Sequence, residues 1–267
     1  MKLNEFYHLL DGLAPKRLSD EYCAKTGAYD NSGVLVDTGE DVKGALFALD
    51  LTNSAIDKAI ELGANLIVTH HPVIYGKISD IRQDDLLGRK LVRCIKNGIS
   101  IVSMHLNLDV AQGGIDESLM QGVCLSTGRA TGENVACMHA LEGGAYGRAY
   151  DVAEVRLGAL AEGMKNTFST QKLLVYGDMD GKVKRVASFC GAGADEETLR
   201  FAKAQGADVV ISSDFKHHLI SYALEEGMQV IVLTHYASEQ YGYKKYYEKM
   251  RRQTSVACTY HVEDELF

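Results

Sequence analysis

The chain has 267 residues, room for one large or two modest domains, and its 46% hydrophobic and 24% charged content is that of an ordinary globular protein. A formal net charge of -8 and a single basic run, 244–252, broken by tyrosines and Glu248, argue against phosphate-backbone binding. No segment approaches the ~20 apolar residues of a bilayer span, the charged opening Met1-Lys2-Leu3-Asn4-Glu5 lacks a leader's apolar stretch, and the six dispersed cysteines form no Cys-x-x-Cys pair. The expectation is a cytoplasmic protein with reduced thiols, most of them in the core, and neither nucleic acid nor membrane as partner.

Leu3, Phe6, Tyr7 and Leu10 recur at helical spacing, so the chain opens on an amphipathic helix that stops near Gly12 and Pro15. Gly44 to Leu49 reads as a strand. Thr52 to Leu62 reads as a helix, capped by Thr52 or Asn53, whose side-chain oxygens can accept orphan amide hydrogens. Leu66 to Thr69 is a further strand, Leu86 to Lys96 a helix and Ile99 to Ser103 a strand. Downstream, Leu173 to Tyr176 and Val183 to Phe189 flank Asp180-Gly181, which predicts a hairpin. Strands alternating with helices make the class α/β.

The two halves resemble each other. Gly63-Ala64-Asn65 followed by Leu66 to Thr69 is matched by Gly206-Ala207-Asp208 followed by Val209 to Ser212. Each copy then runs through a helix to a glycine that opens another strand, Gly98 in one and Gly227 in the other. The expectation is two related α/β units, residues 1–128 and 129–267, facing one another, with the C-terminal part packing back on the first.

Chemistry gathers at the strand ends, where α/β sheets place their sites. The first apolar run leaves Thr69 into His70-His71-Pro72. Strands at matching places in the halves run out into His105, with Asp109 four residues on, and into His235, with Glu239 four residues on. Imidazoles and carboxylates gathered in this way are metal-ligand chemistry. Adjacent residues leaving a strand diverge, so His70 and His71 suit two ions side by side rather than one. Glu239, one helical turn from His235, is placed to bridge the ions, and Asp109 to complete a sphere. His105 is either a ligand or an orienting group. Against this, Asp109 and Glu239 can each cap a helix, and His8, His139 and His261 read as ordinary hydrogen-bonded residues. His217-His218 reads as pocket lining more readily than as ligands, and Gly191-Ala192-Gly193 as a tight turn more readily than as a phosphate cradle.

Four segments together carry a family resemblance: Tyr29-Asp30-Asn31-Ser32-Gly33, Thr69-His70-His71-Pro72, His105-Leu106-Asn107-Leu108-Asp109 with Gly113-Gly114, and His235-Tyr236-Ala237-Ser238-Glu239. Taken in order, they resemble the signatures of the NIF-three-like family, known also as type-two homologues of GTP cyclohydrolase I. The resemblance implies a dinuclear metal site in the cleft between the units, with His70, His71, Asp109, His235 and Glu239 as ligands and Glu239 bridging. It also implies that the two α/β units are intertwined, that the chain forms a homohexamer and that it takes a small-molecule ligand of the nucleotide class. Departures fall on pocket shape rather than on ligands: Tyr29 stands where the family often has Trp, Thr234 where it often has Gly, and Ser212-Ser213-Asp214 where it has Thr-Gly before the acid.

The first functional expectation is a metal-dependent hydrolase of a nucleotide or related heterocycle, with two divalent ions of zinc, manganese, iron or cobalt. No separate general base is evident in the sequence; His105 or a bridging hydroxide could serve. The alternative is binding without turnover, in metal trafficking, cofactor assembly or regulation.

Overall fold

The computed structural model describes residues 1–263. It divides the chain into two compact units: Met1–Ala111 with the described residues from Tyr243 onward, and Gln112–Gly242. The first opens with α1 (Leu3–Leu13), α2 (Lys16–Thr26) and β1 (Gly33–Val36), and continues through β2 (Gly44–Ala48), α3 (Asn53–Leu62), β3 (Leu66–Thr69), α4 (Leu86–Lys96), β4 (Ser100–Ser103) and α5 (Leu106–Val110). The second holds α6 (Ile115–Ser126), β5 (Glu133–Leu141), β6 (Gly144–Arg156), α7 (Leu157–Thr167), β7 (Leu173–Tyr176), β8 (Lys182–Ser188), α8 (Glu196–Ala204), β9 (Val209–Ser212), α9 (His217–Glu225) and β10 (Gln229–Leu233). Helix α10 (His235–Met250) starts in the second unit and ends in the first, to which β11 (Ala257–Tyr260) also belongs.

In the first unit β2, β3, β4 and β11 run parallel, in the order β1-β4-β3-β2-β11, with β1 antiparallel at the edge. Every residue of β2, β3 and β4 is buried, as a parallel sheet covered on both faces requires. Ile56 and Ala59 of α3 and Leu91 and Cys94 of α4 join Leu46, Ile67 and Ile101 in one apolar cluster. Thr52 caps α3 by accepting the Ala55 amide hydrogen at 3.0 Å. The end of α10 locks onto the same unit: the Tyr243 hydroxyl donates to the Val68 carbonyl at 2.8 Å and the Tyr246 hydroxyl to Leu10 at 3.2 Å.

The second unit's sheet has the order β5-β6-β8-β9-β10-β7, with β8, β9 and β10 parallel and the rest antiparallel. The internal repeat is visible down to single hydrogen bonds. Asn65 Oδ1 accepts the Lys43 amide at 2.8 Å, and Asp208 Oδ2 accepts the Lys184 and Arg185 amides at 2.8 Å. The carbonyls of these same two residues receive Ser100 and Gln229, which open the third strand of each copy. One polar side chain thus pins the strand register in both units.

Two expectations are corrected. A division after residue 128 would have put α6 with the first unit, yet α6 lies in the second, where its Asp116 pairs with the buried Arg148 of β6. Segments Leu173–Tyr176 and Lys182–Ser188 do not form a hairpin: β7 pairs with β10, whereas β8 pairs with β6 and β9. The turn is present, with Gly181 N donating to Asp178 O at 2.9 Å, but a turn sets direction and not partner. The thiols also differ from expectation: Cys94, Cys124 and Cys190 are buried, Cys23 and Cys258 half-buried and Cys137 exposed, all six free. Among the described residues no helix is long and apolar enough to cross a membrane.

Candidate metal centre

Three imidazoles converge at the carboxyl ends of β3 and β4. One ring nitrogen each from His70, His71 and His105 lies within 4.8 Å of the other two. The His70 and His71 rings are 4.8 Å apart between centroids, and His70 and His105 are 5.2 Å apart. Strand alternation ends at Thr69. Beyond it the His70 and His71 amides both turn onto the Leu49 carbonyl, at 3.1 and 2.9 Å. His70 is fully buried, and its Nε2 lies 3.5 Å from Oδ1 of Asp109 on α5. Asp109 aims at the imidazoles rather than capping its helix.

The orientation of each ring is imposed from behind. His70 Nδ1 donates to the Met104 carbonyl at 2.8 Å, His71 Nδ1 to Asp50 Oδ1 at 2.9 Å and His105 Nδ1 to Asp30 Oδ1 at 2.8 Å. Carbonyl and carboxylate oxygens only accept, so the proton sits on Nδ1 and leaves the Nε2 lone pair forward. Metal-ligating histidines are held in this way. Asp30 also accepts the hydroxyls of Ser19 and Ser32, at 2.5 and 2.6 Å. Burial pushes its carboxyl up, but the hydrogen bonds from His105, Ser19 and Ser32 outweigh that and hold it well below the usual carboxylate range.

This geometry accounts for the segment 29–33. Asp30 orients His105, Asn31 Nδ2 donates to the Ile74 carbonyl at 2.6 Å, and Ser32 Oγ accepts the His105 amide at 3.0 Å. Gly33 sits at φ +127, where a side chain would be strained.

The second unit carries the matching half-set at the end of β10. His235 Nε2 lies 3.0 Å from Glu239 Oε1, one turn along α10, and its Nδ1 donates to Asp214 Oδ2 at 2.6 Å. Thr234 Oγ1 accepts the Ala237 amide at 3.1 Å, so Thr234 and not Glu239 caps that helix. Asp214 holds a left-handed backbone, φ 52, which Asp tolerates better than most residues. Glu239 is almost fully buried, and the space before it is kept open by Gly191. A Cβ there would overlap Glu239 Oε1 and lie 3.4 Å from His235 Nε2. Ser238 Oγ, between the Gly191 amide at 3.3 Å and Ser213 Oγ at 3.0 Å, fixes that loop.

The donor chemistry, neutral imidazoles with carboxylates, fits a divalent ion of the zinc, manganese, iron or cobalt group. All six residues singled out from the sequence fall in these two sets: His70, His71, His105 and Asp109 in one, His235 and Glu239 in the other. The rear partners Asp50 and Met104 O escaped the sequence reading, and the roles of Asp30 and Asp214 did too. The available signal for Asp50 was a lone acid two residues past a fully apolar strand. His217 and His218 are exposed in the first turn of α9 and belong to none of the donor groups found among the described residues.

Comparison with known proteins then settles the affiliation: the Duf34/NIF3 family (NGG1p interacting factor 3) matches residues 1–264. The chain belongs to this family. A relative from Clostridium perfringens named GTP cyclohydrolase 1 type 2 homolog is 31% identical over 255 residues, 95% of this chain and 92% of the relative. A Methanocaldococcus jannaschii protein of the same name is 26% identical, over 93% of this chain and 94% of its own length. Among solved structures, a Bacillus cereus protein related to NIF3 superposes with a TM-score of 0.81 at 21% identity, covering 98% of this chain and 97% of that one. Reduced HcgD from Methanocaldococcus jannaschii does so with a TM-score of 0.79 at 25% identity, covering 97% of each chain. The two α/β units are thus the DUF34/NIF3 fold.

Proposed function

We propose that this DUF34/NIF3 chain is a metal-dependent hydrolase in which the two donor sets act as one dinuclear centre. His70, His71, Asp109, His235 and Glu239 are its ligands, with Glu239 bridging, and the substrate is a nucleotide or related heterocycle. The observation that carries this reading is the shared backing of four imidazoles, each with Nδ1 bonded to an acceptor, which fixes the lone pair on Nε2. The name borne by the relatives, GTP cyclohydrolase 1 type 2 homolog, supports the substrate class.

When bound, two divalent ions supply Lewis acidity to the scissile bond and to an attacking water. The chain's part is positional and protonic. Asp50, Asp214 and the Met104 carbonyl hold the ligating rings in one tautomer. His105 is the proton carrier at Nε2, with the ionised Asp30 behind Nδ1 stabilising the imidazolium that forms. A homohexamer is the assembly we propose, and light scattering tests it.

Elemental analysis of protein purified without chelator is the direct test, with two ions per chain expected. Turnover over a nucleotide and heterocycle panel should require the metal and disappear in His71→Ala. Metal-replete protein that is inert to the panel, and that hands its ion quickly to a competing acceptor, would instead establish the trafficking reading.

A further inference from the structure

We infer that Tyr29 and Tyr75 form a stacking platform for a planar aromatic ring of the substrate, at the edge of the imidazole cluster. The two rings are 5.4 Å apart between centroids at 85°, edge to face, and Tyr75 lies 6.2 Å from the His105 ring, again edge to face. His105 in turn is 5.2 and 5.8 Å from the His70 and His71 rings. A line of aromatic groups therefore runs from the exposed rim inward to the metal donors, all within the first unit.

Both tyrosines stay 53% exposed, although each is held by structure around it. Tyr29 precedes Asp30 and Asn31, which anchor His105 and the Ile74 carbonyl. Tyr75 follows Ile74 directly, and its hydroxyl donates to the Tyr29 carbonyl at 3.1 Å. Two segments tied down by these bonds thus carry half-exposed rings set at 85° to each other. A pair serving only to staple the loops would bury its rings, since burial is where an aromatic side chain gains most. Exposed, preoriented rings are the arrangement that recognises a flat π-system, and base stacking on such rings is tolerant of ring identity. The hydroxyl tether holds one ring edge-on to the other, leaving a face of the pair for a third ring.

This inference rests on the hydrolase reading for the ring's purpose, but it can be judged apart from it. The chain has no tryptophan, so Tyr29→Trp installs a single reporter inside the platform. Guanosine and GTP serve as planar probes, with ribose 5-phosphate as the probe lacking a base. Saturable quenching by the first two and none by the third is expected. Adding Tyr75→Ala should weaken the apparent affinity by about tenfold or more. Adding Tyr75→Phe, which keeps the ring and loses the tether, should weaken it far less. Quenching that fails to saturate, that ribose 5-phosphate reproduces, or that Tyr75→Ala leaves unchanged overturns the platform. Bound metal is counted in the same preparations: platform variants that retain metal but show no stacking sink this inference alone. Wild-type protein that takes up no metal sinks the hydrolase reading alone, because the quenching result stands independently.

Discussion

His71 Nδ1 donates to Asp50 Oδ1 at 2.9 Å, although the two side chains leave the ends of different strands, β3 and β2. The carboxylate fixes the imidazole tautomer and raises the basicity of Nε2, the atom that faces the other donors. Loss of such a rear partner typically costs 10- to 100-fold in metal affinity. Asp50→Ala should therefore lower affinity by about that range while leaving the fold intact. Competition against a chromogenic chelator measures the first, and circular dichroism checks the second.

Metal removal should weaken the protein without unfolding it. Each unit has its own buried apolar sheet, with β2, β3 and β4 fully buried in the first, so cohesion does not depend on an ion. Binding adds stability by mass action, about 2.7 kcal/mol at an ion concentration of 100 times Kd. Chelation should lower the melting temperature by several degrees and preserve the far-ultraviolet spectrum. A chain that loses its helices on chelation would instead hold its metal as a structural element.

The way residues became legible follows the range of the forces involved. Strand β3 was plain because both its faces are buried, which leaves an unbroken apolar run ending at His70. The repeat was plain because Asn65 and Asp208 meet the same local demand, pinning the start of the preceding strand. Turn chemistry at Asp180-Gly181 was also real, but it carries no information about which neighbour β8 would take. The partners behind the histidines were hidden for a related reason. Asp50 is 21 residues from His71 and Asp30 is 75 from His105, and only the folded sheet brings each pair together. The placement of His70 and His71 depends likewise on amide bonds to Leu49, contributed by another strand end.

Gly191 tests whether the space before Glu239 matters. Its φ of +57 already disfavours a side chain, and a Cβ would collide with Glu239 Oε1. Gly206 shares the left-handed backbone, φ +70, yet a Cβ there meets nothing within 4 Å. Both Gly191→Ala and Gly206→Ala should cost about 1 kcal/mol for the backbone alone. Only Gly191→Ala should also displace the Glu239 carboxylate and reduce bound metal. Urea unfolding of the two variants, paired with elemental analysis, separates these contributions. Equal metal content in both would show that Glu239 does not depend on this opening.

Arg148 and Asp116 form an ion pair in the second unit, with side chains only 5% and 0% exposed. Truncating Arg148 removes this cation from beside the buried Asp116 carboxylate, which costs about 3–5 kcal/mol. Arg148→Met should lower the urea midpoint accordingly, with an unchanged m-value. Removing both charges in Arg148→Met/Asp116→Leu should recover part of that loss, because no isolated charge remains. Recovery should stop short of wild type, since Asp116 also accepts the Gly147 amide at 3.1 Å and the Cys190 amide at 3.2 Å. Those two buried donors would lose their acceptor, at a cost of about 1–3 kcal/mol each. Because Cys190 immediately precedes Gly191, the double variant should also loosen the loop before Glu239. A fall in metal affinity beyond that of Arg148→Met would register this, and a double variant that binds metal as wild type does would show that Asp116 supports the fold and not the site.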